Sequence, residues 1–302
     1  MSAIEAAPTA SSRYTSGVSF RAAIVLLAAA GAFLPPPARA DVDTEHMFGF
    51  TEGTDIGTPH QAEAELETIG AFGRAAGTYN TQWLTASLKY PLSEQFRIAP
   101  AITFARFDIS GVPDFDDRNQ VALNRLWLEF RYHPFDRETS LFGLTFVAAP
   151  FVGFVDDVTG APADAWGGVL LAAVDRALIP ERLYAALNLV YDFGRVRDYG
   201  TGLMTDSSTL GMTAAGSTRL EPWLYVGAEA RYLRAFDGLA FGNLVGQAVY
   251  VGPVFYMTLG KGASLSGAWN IQAWGQTTGV APGLDLTFFD SQRFKLRPAI
   301  EL

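Results

Sequence analysis

Apolar and polar residues alternate one for one through segment after segment of this chain. In Val121–Tyr132, Leu126, Leu128, Phe130 and Tyr132 interleave with Arg125, Trp127, Glu129 and Arg131. This period of two sends successive side chains to opposite faces of a strand. His133–Thr139 is a polar turn, and Leu141–Phe151 resumes the alternation through Phe142, Leu144 and Phe146, so the pair reads as a hairpin. The pattern recurs to the C-terminus in pieces of about 9 to 12 residues, which suits a tilted membrane-spanning strand. Apolar residues make up 49% of the chain, yet no uninterrupted run after residue 40 approaches the ~18 residues of a transmembrane helix. These features describe an all-β chain, a transmembrane antiparallel up-and-down β-barrel.

Twelve strands are expected, at Glu63–Gly73, Thr81–Tyr90, Phe96–Phe107, Val121–Tyr132, Leu141–Phe151, Ala165–Asp175, Leu183–Phe193, Ser207–Ser217, Trp223–Arg234, Gly246–Thr258, Ala263–Gly275 and Gln292–Leu302. Fourteen is the rival count, and Asp285–Phe289 could extend a rim strand. Short connections such as Pro91–Gln95 and Thr218–Pro222 alternate with longer ones such as Asp108–Gln120 and Gln276–Ser291. Outer-membrane barrels have short periplasmic turns and longer external loops, which puts both termini on the periplasmic side. Leu84, Leu88, Leu187, Leu189, Trp269 and Ile271 fall on one parity and are assigned to lipid. Thr81, Thr85, Asn188, Glu229, Arg231, Asn270 and Gln272 fall on the other and face the lumen. Pro100, Pro253 and Pro298 lack the N–H a closed ladder needs, so bulges are expected there. Ala165–Asp175 is apolar on both parities and has no assigned orientation. The last strand alternates Phe294, Leu296, Pro298, Ile300 and Leu302 with Arg293, Lys295, Arg297 and Glu301. It resembles the terminal signal read by the barrel assembly machinery, although Leu302 stands where an aromatic residue is usual.

Residues 1–40 read as a signal peptide: Arg13 and Arg21 precede the apolar run Ala22–Leu34, and Ala38-Arg39-Ala40 is an A-x-A site with cleavage expected near Ala40. That segment carries three Arg and one Glu, which leaves 19 basic and 30 acidic residues and a net charge of −11. An acidic surface disfavours nucleic acid as a partner. The absence of cysteine removes disulfides, a thiol nucleophile and a lipid-anchor cysteine. Residues 41–62, rich in Gly, Thr and acids with little alternation, are expected to stand apart from the barrel wall of residues 63–302 as a periplasmic or plug segment.

Within that segment, Glu45-His46-Met47-Phe48-Gly49-Phe50-Thr51-Glu52-Gly53-Thr54-Asp55-Ile56-Gly57 resembles the opening of a poorly characterised group of proteobacterial outer-membrane barrels carrying an F-G-F-T-E-G-x-D-I-G motif. The resemblance implies a cell outer membrane location, with lipid and lipopolysaccharide around the wall. It implies no chemistry.

The candidate functional residues are the inward charges, chiefly Lys89, Arg97, Arg125, Glu129, Arg131, Glu229, Arg231 and Arg297, with Glu65, Glu67, Arg293, Lys295 and Glu301 on the same parity. In a water-filled lumen such groups stay hydrated and tune selectivity, which gives a porin-like transport channel for a small-molecule hydrophilic solute. In a closed lumen they pair with one another and give a non-conducting structural or surface-interaction barrel. A lipid-modifying enzyme is the third reading, and it is the least supported. His46, His60 and His133 are the only histidines, none has a serine partner by spacing, and no G-x-S-x-G occurs. Asp114, Asp116 and Asp117, and then Asp156, Asp157 and Asp164, offer oxygen ligands without EF-hand spacing, so they read as solvated loop acids. No metal or cofactor is expected.

Overall fold

A computed structural model describes residues 43–260 and 262–302; the signal-peptide segment lies outside the described residues. Twelve antiparallel strands run in chain order: β1 (Glu63–Phe72), β2 (Thr78–Pro91), β3 (Phe96–Ser110), β4 (Arg118–Phe135), β5 (Gly143–Val155), β6 (Pro162–Ile179), β7 (Leu183–Asp198), β8 (Met204–Glu221), β9 (Leu224–Asp237), β10 (Asn243–Gly260), β11 (Ala263–Thr277) and β12 (Gln292–Glu301). Each strand pairs with the next, and β1 closes on β12 through pairs such as Ala64–Ile300 and Phe72–Gln292. Closure leaves no unpaired edge, which a strand in hydrocarbon needs. A short helix, α1 (Thr44–Met47), precedes the barrel.

The faces divide as the alternation requires. Along β7, Leu187 and Leu189 are each 50% exposed on the outside, while Asn188 between them is 1% exposed within. Leu84, Leu88, Tyr232, Trp269 and Ile271 are likewise exposed, whereas Thr81, Thr85, Glu229, Arg231, Asn270 and Gln272 are buried. A water-soluble barrel would turn its apolar parity inward. This inversion is that of a transmembrane barrel. The orientation of β6 is also resolved, with Trp166 and Leu170 outside and Ala173 and Asp175 inside.

Several expectations are corrected. The strands run past the expected bounds, to 18 residues in β4, β6, β8 and β10, because ladder hydrogen bonding continues into polar rim residues after the apolar alternation stops. The prolines produce no bulges. Beside Pro100 the pairs Ser87–Ala101 and Tyr90–Ile98 keep a single register, and beside Pro253 the pairs Val251–Ile271 and Val254–Ala268 do the same. Pro298 pairs in register with Leu265. A missing N–H therefore costs a rung and not a residue, and the register shifts fall elsewhere, as at Thr103/Phe104 and Val249/Tyr250. His133 belongs to β4 rather than to a turn, buried with Nδ1 2.8 Å from Thr145 Oγ1. Asp285–Phe289 forms no rim strand. Asp285 is fully buried, donates its N–H to Gln272 Oε1 at 2.6 Å and accepts from Thr277 Oγ1 at 2.9 Å, which folds the segment inward over the barrel mouth.

Candidate functional site in the lumen

The segment that precedes β1 lies among the inward side chains, and each strand from β2 round to β9 supplies at least one partner. The docking centres on Glu45 in α1. Arg97 of β3 forks onto its carboxylate, Nη1 to Oε2 at 2.5 Å and Nη2 to Oε1 at 2.8 Å; Lys89 Nζ of β2 lies 2.9 Å from Oε1; Arg131 Nη1 of β4 completes the cluster. Burial alone would raise the Glu45 pKa, but Arg131, Arg97 and Lys89 together hold it well below the usual carboxylate range. Next to it, His46 contacts Asp43 through Nδ1 and Glu65 Oε2 through Nε2 at 2.8 Å. Burial disfavours its charge, yet the Asp43 carboxylate raises its pKa well above the ordinary value. With the Asp43 carboxylate at Nδ1 and the Glu65 carboxylate at Nε2, both ring nitrogens of His46 are placed as donors. Its 3.0 Å approach to Lys89 Nζ then brings two cations together around the shared Glu65 carboxylate, and is not a hydrogen bond.

Beyond α1 the backbone itself is gripped by wall side chains. Glu229 of β9 accepts the N–H groups of Phe50 and Thr51 at 2.8 and 2.9 Å. Asn188 of β7 accepts the Glu52 N–H at 2.7 Å and donates to the Glu52 carbonyl at 2.8 Å, closing a ring as a strand neighbour would. Asp175 of β6 accepts from Thr54 N at 3.0 Å, Thr54 Oγ1 at 2.7 Å and Thr44 Oγ1 at 2.5 Å. Thr145 of β5 and Ser217 of β8 donate to the carbonyls of Thr54 and Met47 at 2.6 and 3.3 Å. The Glu52 carboxylate takes Arg131 Nη2 at 3.0 Å; burial would raise its pKa, and Arg131 and Arg297 lower it. Asp55 accepts the Thr44 N–H at 2.7 Å and contacts Arg137. Burial nonetheless pushes its pKa up to about 6. Met47 and Phe48 add a small apolar contact against Tyr184, Tyr225 and Tyr256.

The docked segment does not fill the barrel. A cavity of about 90 Å³ remains on the β1–β4 side, lined by Glu45, Glu52, Glu65, Glu67, Trp127, Glu129 and Arg297 among others. Its charged lining and its volume, several times the ~10–15 Å³ one water needs, give it room and partners for water. Asp43, Glu45 and His46, and again His46, Glu63 and Glu65, bring metal-ligand atoms within 4.8 Å of one another. Lys89, Arg97 and Arg131 already supply the positive charge there, so the set is balanced by side-chain cations.

The match to known proteins covers residues 40–301, nearly the whole sequence, and is to the family described as "Family of unknown function (DUF6662)". The chain belongs to DUF6662. No curated protein matches it. Among solved structures it is similar to the COG4313 outer membrane channel from Pseudomonas putida F1, at 12% identity and a TM-score of 0.58 over 82% of this chain and 98% of that one. It is also similar to the β domain of the Bordetella autotransporter BrkA, at 12% identity and a TM-score of 0.51 over 81% and 100%. At that identity the likeness is one of fold.

For this DUF6662 chain, the inward charges sort into three groups. Lys89, Arg97, Arg131 and Glu229 hold the N-terminal segment directly, and Glu129 braces Arg97 at 2.7 Å. Arg297 pairs with Glu67 at 2.8 Å and lies 3.6 Å from Glu52, while Arg231 covers the Phe50 ring. Arg125 stands apart toward the loop end, against Asn124 and Asp157. Two of the loop acids close turns: Asp156 Oδ1 accepts from Thr159 N at 2.7 Å, and Asp117 Oδ1 accepts from Gly111 N at 2.8 Å. Asp175, Thr145 and the segment's own Glu45, Glu52 and Asp55 were not among the candidates read from the sequence. Parity alone could have found Asp175, but its apolar strand hid which parity faced inward. The glycines of the segment's motif now have a cause. A Cβ on Gly49 would lie 2.3 Å from the Ala268 Cβ, and one on Gly53 2.2 Å from the Thr44 carbonyl oxygen.

Proposed function

We propose that this is an outer-membrane channel for small hydrophilic solutes whose lumen is gated by its own residues 43–56. One observation supports this above the rest: the segment that occupies the pore is held by ion pairs and hydrogen bonds to wall side chains and takes no part in the ladder. Buried ion pairs have a small net worth, because the desolvation of each charge offsets most of their attraction. When the segment leaves, water replaces it and both sides are rehydrated, so displacement does not strand charges in a dry core. In this reading the end with connections 180–182 and 222–223 faces the periplasm. Outer-membrane lipid and lipopolysaccharide surround the apolar belt, and β12 is presented to the assembly machinery.

The test is ion conductance in planar bilayers, comparing residues 41–302 with the same chain lacking 43–56. The expected result is low, intermittent conductance for the first and a large steady conductance for the second. A non-conducting barrel is the second reading, favoured by the complete burial of Arg131 against Glu45 and Glu52. A silent deletion variant that still shows the heat-modifiable gel mobility of a folded barrel would decide for it.

A further inference from the structure

Among the described residues four arginines are buried: Arg97, Arg131, Arg231 and Arg297. Three of them have carboxylates, with Glu45 on Arg97 and Arg131, and Glu67 on Arg297. Arg231 has none within ion-pair distance among the described residues, and its Nε and Nη1 have no hydrogen-bond acceptor. Its neighbour on the same face of β9, Glu229, is not free to serve, since its oxygens accept from Phe50, Thr51 and Asn270. A buried charge without partner or water costs several kcal/mol, so the missing acceptor comes from something that is not protein.

The guanidinium is also held in place. Its carbon lies 4.1 Å from the centroid of the Phe50 ring and 5.7 Å from that of Tyr250, so two aromatic groups fix the planar fork by cation–π attraction. Across the sheet Arg231 pairs with Thr213 on one side and Tyr250 on the other, and neither brings a negative charge. Phe50 belongs to the docked segment, so the fork lies at the boundary between that segment and the wall. A fixed guanidinium fork suits two oxygens of one planar or tetrahedral anion.

We propose that Arg231 is the recognition point of the lumen for a small solute bearing an oxyanion, a carboxylate or a phosphate. The inference rests on the lumen being a solute path, and it names the class of solute. Binding is measured on the folded chain of residues 41–302 in detergent, by ligand-observed NMR with succinate and, separately, inorganic phosphate as probes and uncharged succinamide as the control. At least one anion should bind while succinamide does not. Arg231→Gln should weaken that anion at least tenfold with unchanged heat-modifiable mobility, and Arg231→Lys should weaken it less. Should the Gln variant not fold, the Lys variant and the succinate–succinamide contrast on the unmodified chain carry the test. No binding by either anion, equal binding of succinamide, or binding indifferent to both Arg231 substitutions overturns the site, the first meaning that water alone satisfies the guanidinium. Because binding is read without current, conduction without anion binding removes this site and leaves the channel, and anion binding without conduction removes the channel and leaves the site.

Discussion

At the scale of single residues, the lumen separates groups that matter at different pH. Glu45 has its pKa depressed when docked, so its contribution is present above the ordinary carboxylate range and is lost only as pH falls through the lower docked value. Asp55 has the opposite sign. Its pKa is about 6 when docked against an ordinary 3.8, so its contribution is fully present below 3.8 and is lost as pH rises through about 6. His46, raised by Asp43, likewise contributes below its ordinary value and loses that contribution only as pH climbs past its raised one. Between pH 7 and 5 both contributions grow, because docked Asp55 titrates at about 6 and an undocked His46 at its ordinary 6.5, so docking should tighten on acidification. Amide hydrogen exchange of residues 51–55, corrected for intrinsic rates, should slow relative to barrel amides; acceleration over that range would show the sign to be wrong. Glu45→Gln removes the charge that three cations share, at a cost that should fall below the ~3–5 kcal/mol of a dry buried cluster. That loss should appear as increased proteolysis within residues 43–56 with little change in the thermal stability of the barrel, because the orphaned cations face a lumen that water can enter. Equal loss of both would mean that the segment and wall unfold as one.

At the scale of elements, one residue of register decides whether a side chain meets lipid or lumen. Leu189 is outside, and Val190 beside it shares the inward parity of the exposed Asp192. Arginine on the lipid side near the bilayer middle costs about 2–4 kcal/mol in a barrel of this kind. Leu189→Arg should therefore destabilise the protein folded in lipid by that amount, and Val190→Arg by distinctly less; the reverse order in urea titrations would invert the assigned faces. The strands were legible because burial on one side imposes period two, and β4, β7 and β9 carried both the apolar and the charged parity in plain form. β6 was not legible, since Ala, Gly and Val occupy both parities and only Trp166, Leu170 and Asp175 break the tie. The prolines misled because a lost N–H suggests an inserted residue, whereas the ladder tolerates a missing rung without changing register. Of the site, the alternation put the wall charges on the inward parity. It could not show that their partners are Glu45, Glu52 and Thr54, because contacts such as Lys89–Glu45 and Asp175–Thr54 join residues 44 and 121 positions apart through a segment with no periodicity.

At the scale of the whole molecule, the barrel and its N-terminal segment divide the work. In the proposed channel the wall supplies a polar interior inside an apolar belt, and the segment sets how much of that interior is open. Because the chain has no cysteine, a single engineered pair can hold the segment in place without competing thiols. A Cβ on Gly143 of β5 would lie 3.1 Å from the Thr54 Cβ and 2.4 Å from Asp175 Oδ1, so with a shift of the Asp175 side chain the pair comes near the ~3.5–4.5 Å span of a disulfide. The most direct measurement is the single-channel conductance of the Thr54→Cys, Gly143→Cys protein in one bilayer, recorded oxidised and then after a reductant is added. Residues 43–56 acting as the gate requires a quiet channel while the bond is intact and repeated openings once it is cut. Conductance that is the same before and after reduction, whether open or silent, would contradict it.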